Sequence, residues 1–242
     1  MSKHLPPLIQ VVLDTNCLFT EAADKLLCSD ISEFIQNDSP QLGLKISWHI
    51  PSIVKAERKY QMLERGKRLL PALSKVESLL GHALGINEEV LGSRVDDAIK
   101  RQMEQHGLCE LGIATKKVNW NEVINSAVLK LPPFEAGEKE KGFRDALILE
   151  AFSQLAEAAP KSSASARMIL LSSDKLLQSA ARERFKDRSN VLVADSFDEI
   201  RTILNAVASQ LTQEAIGSIR YCPKQPSYFL KEARTKRHYT TN

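Results

Sequence analysis

Four short apolar segments constrain the fold of this chain more than any other feature. Each is rich in β-branched residues and almost uninterrupted by polar ones, which is typical of strands buried on both faces of a parallel sheet. Helical spacing of apolar residues fills the gaps, as in Glu21–Ile35, and parallel strands need such crossovers. We therefore predict an α/β fold with a central parallel sheet of four to five strands flanked by helices. The four strands are Leu8–Leu13, Ile46–Ile50, Met168–Leu171 and Val191–Ala194.

More than a hundred residues separate the second of these strands from the third, too many for one crossover. We predict a helical insertion there, at about residues 61–130. Ser52 is the predicted cap of its first helix, and Pro71 is expected to kink or split that helix. Breaks are predicted at residues 107–112 and at residues 130–137, and the second of these segments carries two prolines and a glycine. The helices are expected near Ile53–Leu80, Asn87–Gln105, Trp120–Leu129 and Lys141–Ala158.

The cysteines and the apolar segments exclude several protein classes. The four cysteines are widely spaced and form no C-x-x-C pair, so neither a zinc knuckle nor a disulfide framework is indicated. The first apolar run is interrupted at Asp14, which makes it too short for a secretory signal. No stretch approaches the roughly 20 apolar residues that span a bilayer. The sequence predicts a cytoplasmic protein without a membrane segment.

Basic residues are concentrated at the C-terminus. A helix is predicted from Ser196 to about Leu211, so we assign residues 1–212 to one domain and 213–242 to a basic tail. The net charge is +3, and the tail alone contributes +4. This tail is interpreted either as a contact for a polyanion or as a solvated terminus. Its candidate nucleic-acid-binding residues are Lys231, Arg234, Lys236 and Arg237.

A second basic group lies in the first long helix of the insertion. Such a stripe is interpreted either as a track for a nucleic-acid backbone or as a solvated helical face. Its members are Arg58, Lys59, Arg65, Lys67 and Arg68.

Carboxylates follow the predicted strands at their carboxyl ends. Asp14 comes directly after the first strand, and Asp174 comes directly after Met168–Leu171 in the run Ser-Ser-Asp. Glu57 lies about one turn into the helix that follows the second strand, and Asp145 opens a later helix. The carboxyl ends of parallel strands meet at one edge of a sheet, where ligands bind. We therefore expect these four acids to converge on one cleft.

Each acid has an ordinary structural explanation when it is considered alone. A strand-ending turn accounts for Asp14, a solvated charge for Glu57, the helix dipole for Asp145 and an N-cap for Asp174. Together, however, four carboxylates repel one another and oppose folding unless a cation lies among them. Mg²⁺ and Mn²⁺ prefer such oxygen ligands, whereas zinc sites are rich in His and Cys.

At these residues the chain resembles the PIN-domain nucleases. The resemblance rests on VVLDTN around Asp14, PSIVKAERKYQ around Glu57, KGFRDALILEAF around Asp145 and LLSSDKLL around Asp174. It extends over Leu8–Ser209, and the Gly-aromatic-Arg-Asp-Ala run resembles a larger bacterial PIN-like subgroup. The helical insertion makes this chain longer than a minimal PIN toxin. The resemblance implies a PIN-like fold in which the long insertion lies between the second and third strands.

The resemblance also implies a mechanism and a set of partners. Asp14, Glu57, Asp145 and Asp174 would be the catalytic residues and would bind one or two Mg²⁺ or Mn²⁺ ions. The protein would then be an endonuclease that hydrolyses phosphodiester bonds, in RNA in preference to DNA. Candidate partners are an antitoxin, a defence-system protein or a second copy of the chain. The supporting residues are Thr15, Asn16 and Ser172, which would orient the ligands, and Arg144, which would hold a phosphate or pair with a neighbouring acid.

Other functions are less consistent with these motifs. A phosphatase of the haloacid-dehalogenase type needs a second acid two positions after the first, and Asn16 occupies that position. A nucleoside triphosphatase would need a Gly-rich phosphate loop with Lys, which the sequence lacks. The remaining alternative is a catalytically silent module that keeps the fold and binds nucleic acid or a partner. The presence of all four acids favours the enzyme.

Overall fold

The computed structural model describes residues 7–137 and 141–220, with side chains described as far as residue 213. These residues contain one five-stranded parallel sheet with the strand order β3-β2-β1-β4-β5. The sheet and the helices that follow β2 confirm the predicted α/β fold. The strands are β1 (Leu8–Leu13), β2 (Ile46–Pro51), β3 (Leu108–Leu111), β4 (Ala166–Leu171) and β5 (Val191–Ala194).

Helices cover the sheet and build the insertion after β2. Three short helical turns, at Phe34–Asp38, Ser39–Leu42 and Thr115–Lys117, complete the described elements. The helices are α1 (Thr15–Leu18), α2 (Ser29–Glu33), α3 (Ser52–Lys67), α4 (Leu70–Leu80), α5 (Glu88–Gln105), α6 (Trp120–Leu129), α7 (Phe143–Ala158), α8 (Lys175–Arg184) and α9 (Phe197–Arg220).

The strand β3 lies inside the predicted helical insertion, in the break expected between two of its helices. It pairs with β2 from Trp48 opposite Leu108 to Pro51 opposite Leu111. Only Leu108 of its four residues is buried, and β3 forms an edge of the sheet. A short edge strand with one buried side chain lacks the continuous apolar run on which our strand predictions depended.

The central strand β1 pairs with β2 on one side and with β4 on the other. Leu13 is opposite Leu171, and the backbone N–H of Asp14 donates to the Leu171 carbonyl at 3.0 Å. The strands β1 and β4 therefore end at the same level of the sheet. The residues that follow them lie side by side at the carboxyl edge.

The helix predicted at Glu21–Ile35 is wrong over its first half, since the α-helix α2 begins only at Ser29. The guanidinium of Arg58 donates hydrogen bonds to the carbonyls of Lys25 and Leu26, and the side-chain oxygen of Gln102 accepts one from the N–H of Leu26. These tertiary contacts use backbone groups that a helix would have paired internally. They override the local helical spacing.

Two predicted helix signals in the insertion have different outcomes. Pro71 splits the first long helix as expected, because α3 ends at Lys67 and Pro71 lies in the first turn of α4. The predicted cap is wrong. Pro51 occupies the N-cap position of α3, and no side chain caps this helix.

The C-terminal helix is longer than predicted. It begins at Phe197 and runs to Arg220, past the expected end at Leu211. The candidate nucleic-acid-binding residues Lys231, Arg234, Lys236 and Arg237 lie outside the described residues. The boundary between domain and tail stays a prediction. Within residues 7–137 and 141–220, no helix is long and apolar enough to cross a bilayer.

The main hydrophobic core lies on both faces of the sheet, where β1 contributes fully buried Ile9, Val11, Val12 and Leu13. A second, smaller cluster joins the insertion to the beginning of α7. It consists of Val118, Val123, Phe134 and Ala146, with half-buried Ile113 and Ala127 packed against it. Since Ala146 is the neighbour of Asp145, this cluster determines where the first turn of α7 lies.

Gly142 immediately precedes α7 and adopts a left-handed conformation with φ of 107°. A Cβ at this position would lie 2.5 Å from the Pro133 carbonyl oxygen and 2.6 Å from the Cα of Phe134. The backbone of Gly142 therefore approaches the 131–134 loop more closely than any side chain permits. Glycine is required here both for its conformation and for this approach.

Gly142→Ala should lower the free energy of unfolding by at least about 1–3 kcal/mol, the cost of the strained conformation before any steric clash. Urea unfolding measures this difference. Gly137→Ala is the matched control, because nothing lies within 4 Å of a Cβ there. Equal stability of the Gly142→Ala variant and the wild type would contradict this account of the α7 start.

Candidate active site

A cavity of about 330 Å³ opens at the carboxyl edge of the sheet. All four acids predicted from the sequence line it, so residues distant in the chain are brought together as expected. The lining residues are Asp14, Thr15, Asn16, Glu57, Lys141, Gly142, Phe143, Arg144, Asp145 and Asp174.

Asp14 follows the central strand and is almost completely buried, with 1% of its surface exposed. Its Oδ2 accepts a hydrogen bond from the Ser172 hydroxyl at 2.7 Å, and its Oδ1 accepts from the N–H of Thr15 at 2.6 Å. These two donors fix the orientation of the carboxylate. The pKa of Asp14 is raised by burial, although both hydrogen bonds oppose the shift.

Asp174 is both a helix cap and a member of the site. Its Oδ1 accepts from the N–H groups of Leu176 and Leu177 at 2.8 and 2.9 Å, which caps α8. Its own N–H donates to the Ser172 hydroxyl oxygen at 3.1 Å. Ser172 therefore contacts both Asp14 and Asp174.

Glu57 reaches the cavity from the second turn of α3. Its Oε2 accepts from the Thr15 hydroxyl at 2.9 Å, and its Oε1 forms an ion pair with Arg144. The side chain of Glu57 is largely buried, whereas that of Arg144 is mostly exposed. Of the two roles left open for Arg144, this structure contains the ion pair.

Asp145 lies in the first turn of α7, as predicted. Its pKa is raised to about 6, mainly by burial and further by the charges of Asp14 and Asp174, while Arg144 opposes the shift. The acids thus repel one another across the cavity. A cation among them would remove this repulsion.

The donor set suits a hard divalent ion. The ligands offered to the cavity by these acids are oxygen atoms, which Mg²⁺ and Mn²⁺ prefer. Lys141 also lines the cavity, but its ammonium group pairs with Glu135 at 2.9 Å. Within the part of the chain that the structure describes, no three His, Cys, Asp or Glu side chains stand in a ready metal-binding arrangement. The carboxylates of Asp14 and Glu57 instead bind protein donors. Asp14 accepts from Ser172 and from the Thr15 N–H, and Glu57 pairs with Arg144.

The basic group on α3 requires one correction. Arg58 is fully buried, and its guanidinium donates to the carbonyls of Leu26 and Lys25 at 3.2 and 2.9 Å. It shares the inward face of α3 with Val54 and Met62, four residues to either side. The prediction that Arg58 contacts nucleic acid is wrong, because a side chain on this face has no access to a ligand in solution.

Most other basic residues of the group are paired with acids. Lys59 pairs with Asp96, and Lys67 pairs with Glu64 and Glu88. Arg65 pairs with Glu21 and lies over the ring of Phe19. For Lys59, Arg65, Lys67 and Arg68, nucleic-acid binding stays a prediction.

Three cavity residues were missed by the sequence analysis, namely Lys141, Gly142 and Phe143. They directly precede Arg144 and Asp145 in the Gly-Phe-Arg-Asp run, and this adjacency was the available signal. Asp195, which follows β5, does not line the cavity. Its side chain is near Lys175, at 3.7 Å.

Asp145→Asn should stabilise the metal-free protein at neutral pH. Because the pKa of Asp145 rises from 3.8 unfolded to about 6 folded, ionisation lowers the unfolding free energy as pH rises through this window. The variant should be more stable than the wild type by on the order of 1–2 kcal/mol at about pH 7.5, allowing for solvent screening. This difference in stability should disappear at about pH 4.

Urea unfolding in chelator across this pH range tests the expectation. Asp195→Asn is the control, since hydrogen bonding from Ser196 lowers the pKa of that exposed carboxyl and its removal should not stabilise. An Asp145→Asn protein less stable than the wild type at neutral pH would contradict the repulsion.

Comparison with known proteins agrees with this geometry. The chain matches the sequence profile of the PIN domain over residues 11–176, a range that includes all four acids. No curated protein and no solved structure matches the chain. PIN domains are generally nucleases and generally use divalent metal ions. Since the matched range is well over half of the 242 residues, the chain belongs to the PIN-domain family.

Proposed function

We propose that this protein is a metal-dependent endonuclease that hydrolyses phosphodiester bonds, in RNA in preference to DNA. The observation that carries the proposal is the convergence of Asp14, Glu57, Asp145 and Asp174 on one cavity. Membership of a family of nucleases supports the same reaction class. An acidic cavity repels the phosphates of a nucleic acid, so a bound cation is needed to admit the substrate.

Asp14, Asp145 and Asp174 would hold one or two Mg²⁺ or Mn²⁺ ions, with Glu57 binding directly or through water. A divalent ion held by these residues would supply an activated water for in-line attack on the phosphodiester and would offset negative charge on the leaving oxygen. Because Asp145 has a pKa of about 6, its carboxylate is mostly ionised and able to bind a cation above that pH.

The surrounding residues orient these carboxylates. Ser172 and the Thr15 N–H hold Asp14 from two sides, and the Thr15 hydroxyl holds Glu57. Such outer contacts limit the rotation of the ligands, and their loss typically lowers metal affinity by about 10- to 100-fold. Asn16 is exposed at the cavity and offers its amide to substrate or water.

Arg144 is suited to hold a substrate phosphate. Its side chain is mostly exposed, and its guanidinium is already at the cavity, where it pairs with Glu57. A planar guanidinium binds phosphate oxygens in a bidentate manner.

The proposal also includes a partner and a location, which follow from the sequence and the resemblance. The candidate partners are an antitoxin, a defence-system protein or a second copy of the chain, and the expected location is the cytoplasm.

The cleavage test uses labelled single-stranded RNA and DNA with Mg²⁺, Mn²⁺ or chelator. The wild type should cleave RNA faster than DNA, and only with metal. Asp14→Asn should lower the rate by about 100-fold or more, on the scale of losing a principal electrostatic group. Asp195→Asn, which changes a strand-end carboxylate outside the cavity, should cleave at the wild-type rate.

Metal-independent cleavage, or equal cleavage by Asp14→Asn, would contradict the mechanism. Tight RNA binding without cleavage under all these conditions would instead favour the catalytically silent module.

Metal binding should also appear as a change in stability. An ion that binds only the folded state stabilises it, by about 2.7 kcal/mol at 100 times its Kd. Millimolar Mn²⁺ should therefore raise the Tm of the wild type. Asp14→Asn should have a higher Tm than the wild type without metal, because repulsion is relieved, and a smaller response to Mn²⁺. A wild-type Tm unaffected by Mn²⁺ would contradict the ion site.

A further inference from the structure

The helix α6 presents an apolar stripe to solvent. Trp120, Ile124 and Val128 are spaced by four residues on one face, and they are 40%, 56% and 72% exposed. Large apolar side chains in a contiguous exposed patch indicate a binding surface. Together with Phe143, which is 51% exposed, they line a shallow groove of about 430 Å³.

This groove and the acidic cavity share one lining residue. Phe143 lines both, since it is the first residue of α7 and stands two positions before Asp145. The adjacent side of α6 is anchored, because Val123, which also lines the groove, packs with Phe134 and Ala146 in the small core. The Trp120 indole N–H donates to the Thr115 carbonyl at 3.1 Å. The Trp120 ring is therefore held in place at the groove.

Lysines flank both ends of this helix. Lys116 and Lys117 precede it, and Lys130 follows it and lines the groove. None of these three lysines forms an ion pair with another described residue. A surface that combines exposed aromatic rings with unpaired lysines is complementary to a single-stranded nucleic acid, whose bases stack while its phosphates bind the cations.

We propose that Phe143 and Trp120 form a stacking platform for unpaired bases of the strand being cleaved. The assignment rests on the nuclease function proposed above and adds a specificity determinant to it. Phe143 would stack the base next to the scissile phosphate, and Trp120 would stack a further base along the groove. Bases in a duplex are already stacked on one another and cannot occupy the platform, so this surface selects unpaired strands.

The first experiment combines a protein change with a substrate change. Single-stranded RNA is compared with the same strand in which the nucleotide on one side of the cleavage site lacks its base, tested in turn for each side. For the wild type, one of these abasic substitutions should lower kcat/KM by about 10-fold, within the range for one stacked base. Phe143→Ala should lower kcat/KM on the normal strand by a similar factor and should not respond to that abasic substitution.

This pattern distinguishes stacking from a structural role. If Phe143 only supported the fold, the variant and the wild type would lose the same factor on abasic strands, and the proposal would be overturned. Phe143→Tyr, which keeps the aromatic face, should retain most of the activity. If the wild-type kcat/KM is unchanged by the missing base on either side of the cleavage site, the stacking platform is overturned, whereas the proposed nuclease function is unaffected.

The second experiment does not depend on cleavage. Trp48 is buried in the core, so Trp120 is the more exposed of the two tryptophans in the sequence and should dominate quenching by a ligand. Unlabelled single-stranded RNA of ten nucleotides is titrated into the Asp145→Asn protein in Mg²⁺. Stacking should quench tryptophan fluorescence, and Trp120→Phe in the same background should abolish the change. An equimolar duplex of the same sequence should quench much less.

Two outcomes would overturn the platform here, namely RNA binding without quenching and concentration-dependent dimerisation that buries Trp120. Gel filtration of the wild type and an Ile124→Glu variant detects the second, in which α6 is covered by another copy of the chain. Quenching by RNA, combined with no metal-dependent cleavage by the wild type, would contradict the proposed nuclease function and would still support the stacking platform.

Discussion

Burial of a carboxylate at the end of the central strand is the constraint on which the site depends. Asp14 directly follows the central strand, which is paired on both sides, and its carboxylate is therefore buried away from water. The Ser172 hydroxyl and the Thr15 N–H donate hydrogen bonds to it. Asp145 and Asp174 add like charge nearby. The fold therefore places negative charge where it opposes stability, which is typical of a site arranged for a ligand.

The sequence was sufficient for four of the five described strands and for the four acids, because both follow from a simple rule. Buried parallel strands are apolar throughout, and the polar residues that follow them lie at the carboxyl edge of the sheet, where ligands bind. Asp14 and Asp174 were therefore placed correctly from the strand pattern alone. Glu57 and Asp145 depended on helix starts, which were predicted to within a residue or two. The edge strand β3 was missed because one buried leucine leaves no pattern.

Charge on a helix was the least predictable feature. Glu57 and Arg58 are neighbours in the sequence, yet one faces the cavity and the other is buried in the core. The i, i+4 spacing of Val54, Arg58 and Met62 was the signal that Arg58 lies inside. It was overlooked because a buried arginine is rare without partners, and its partners are carbonyls of a loop. Those carbonyls also explain why the helix predicted at Glu21 does not form.

The hydroxyl of Ser172 has a single hydrogen, and this limits which residues can replace serine at this position during evolution. The hydrogen is donated to Asp14, so the lone pairs must accept from the Asp174 N–H, and the chain of bonds has a single direction. Replacement by alanine would leave an acid and an amide without their partner in one step. Only another hydroxyl-bearing residue preserves both connections, which makes threonine the conservative exchange at this point.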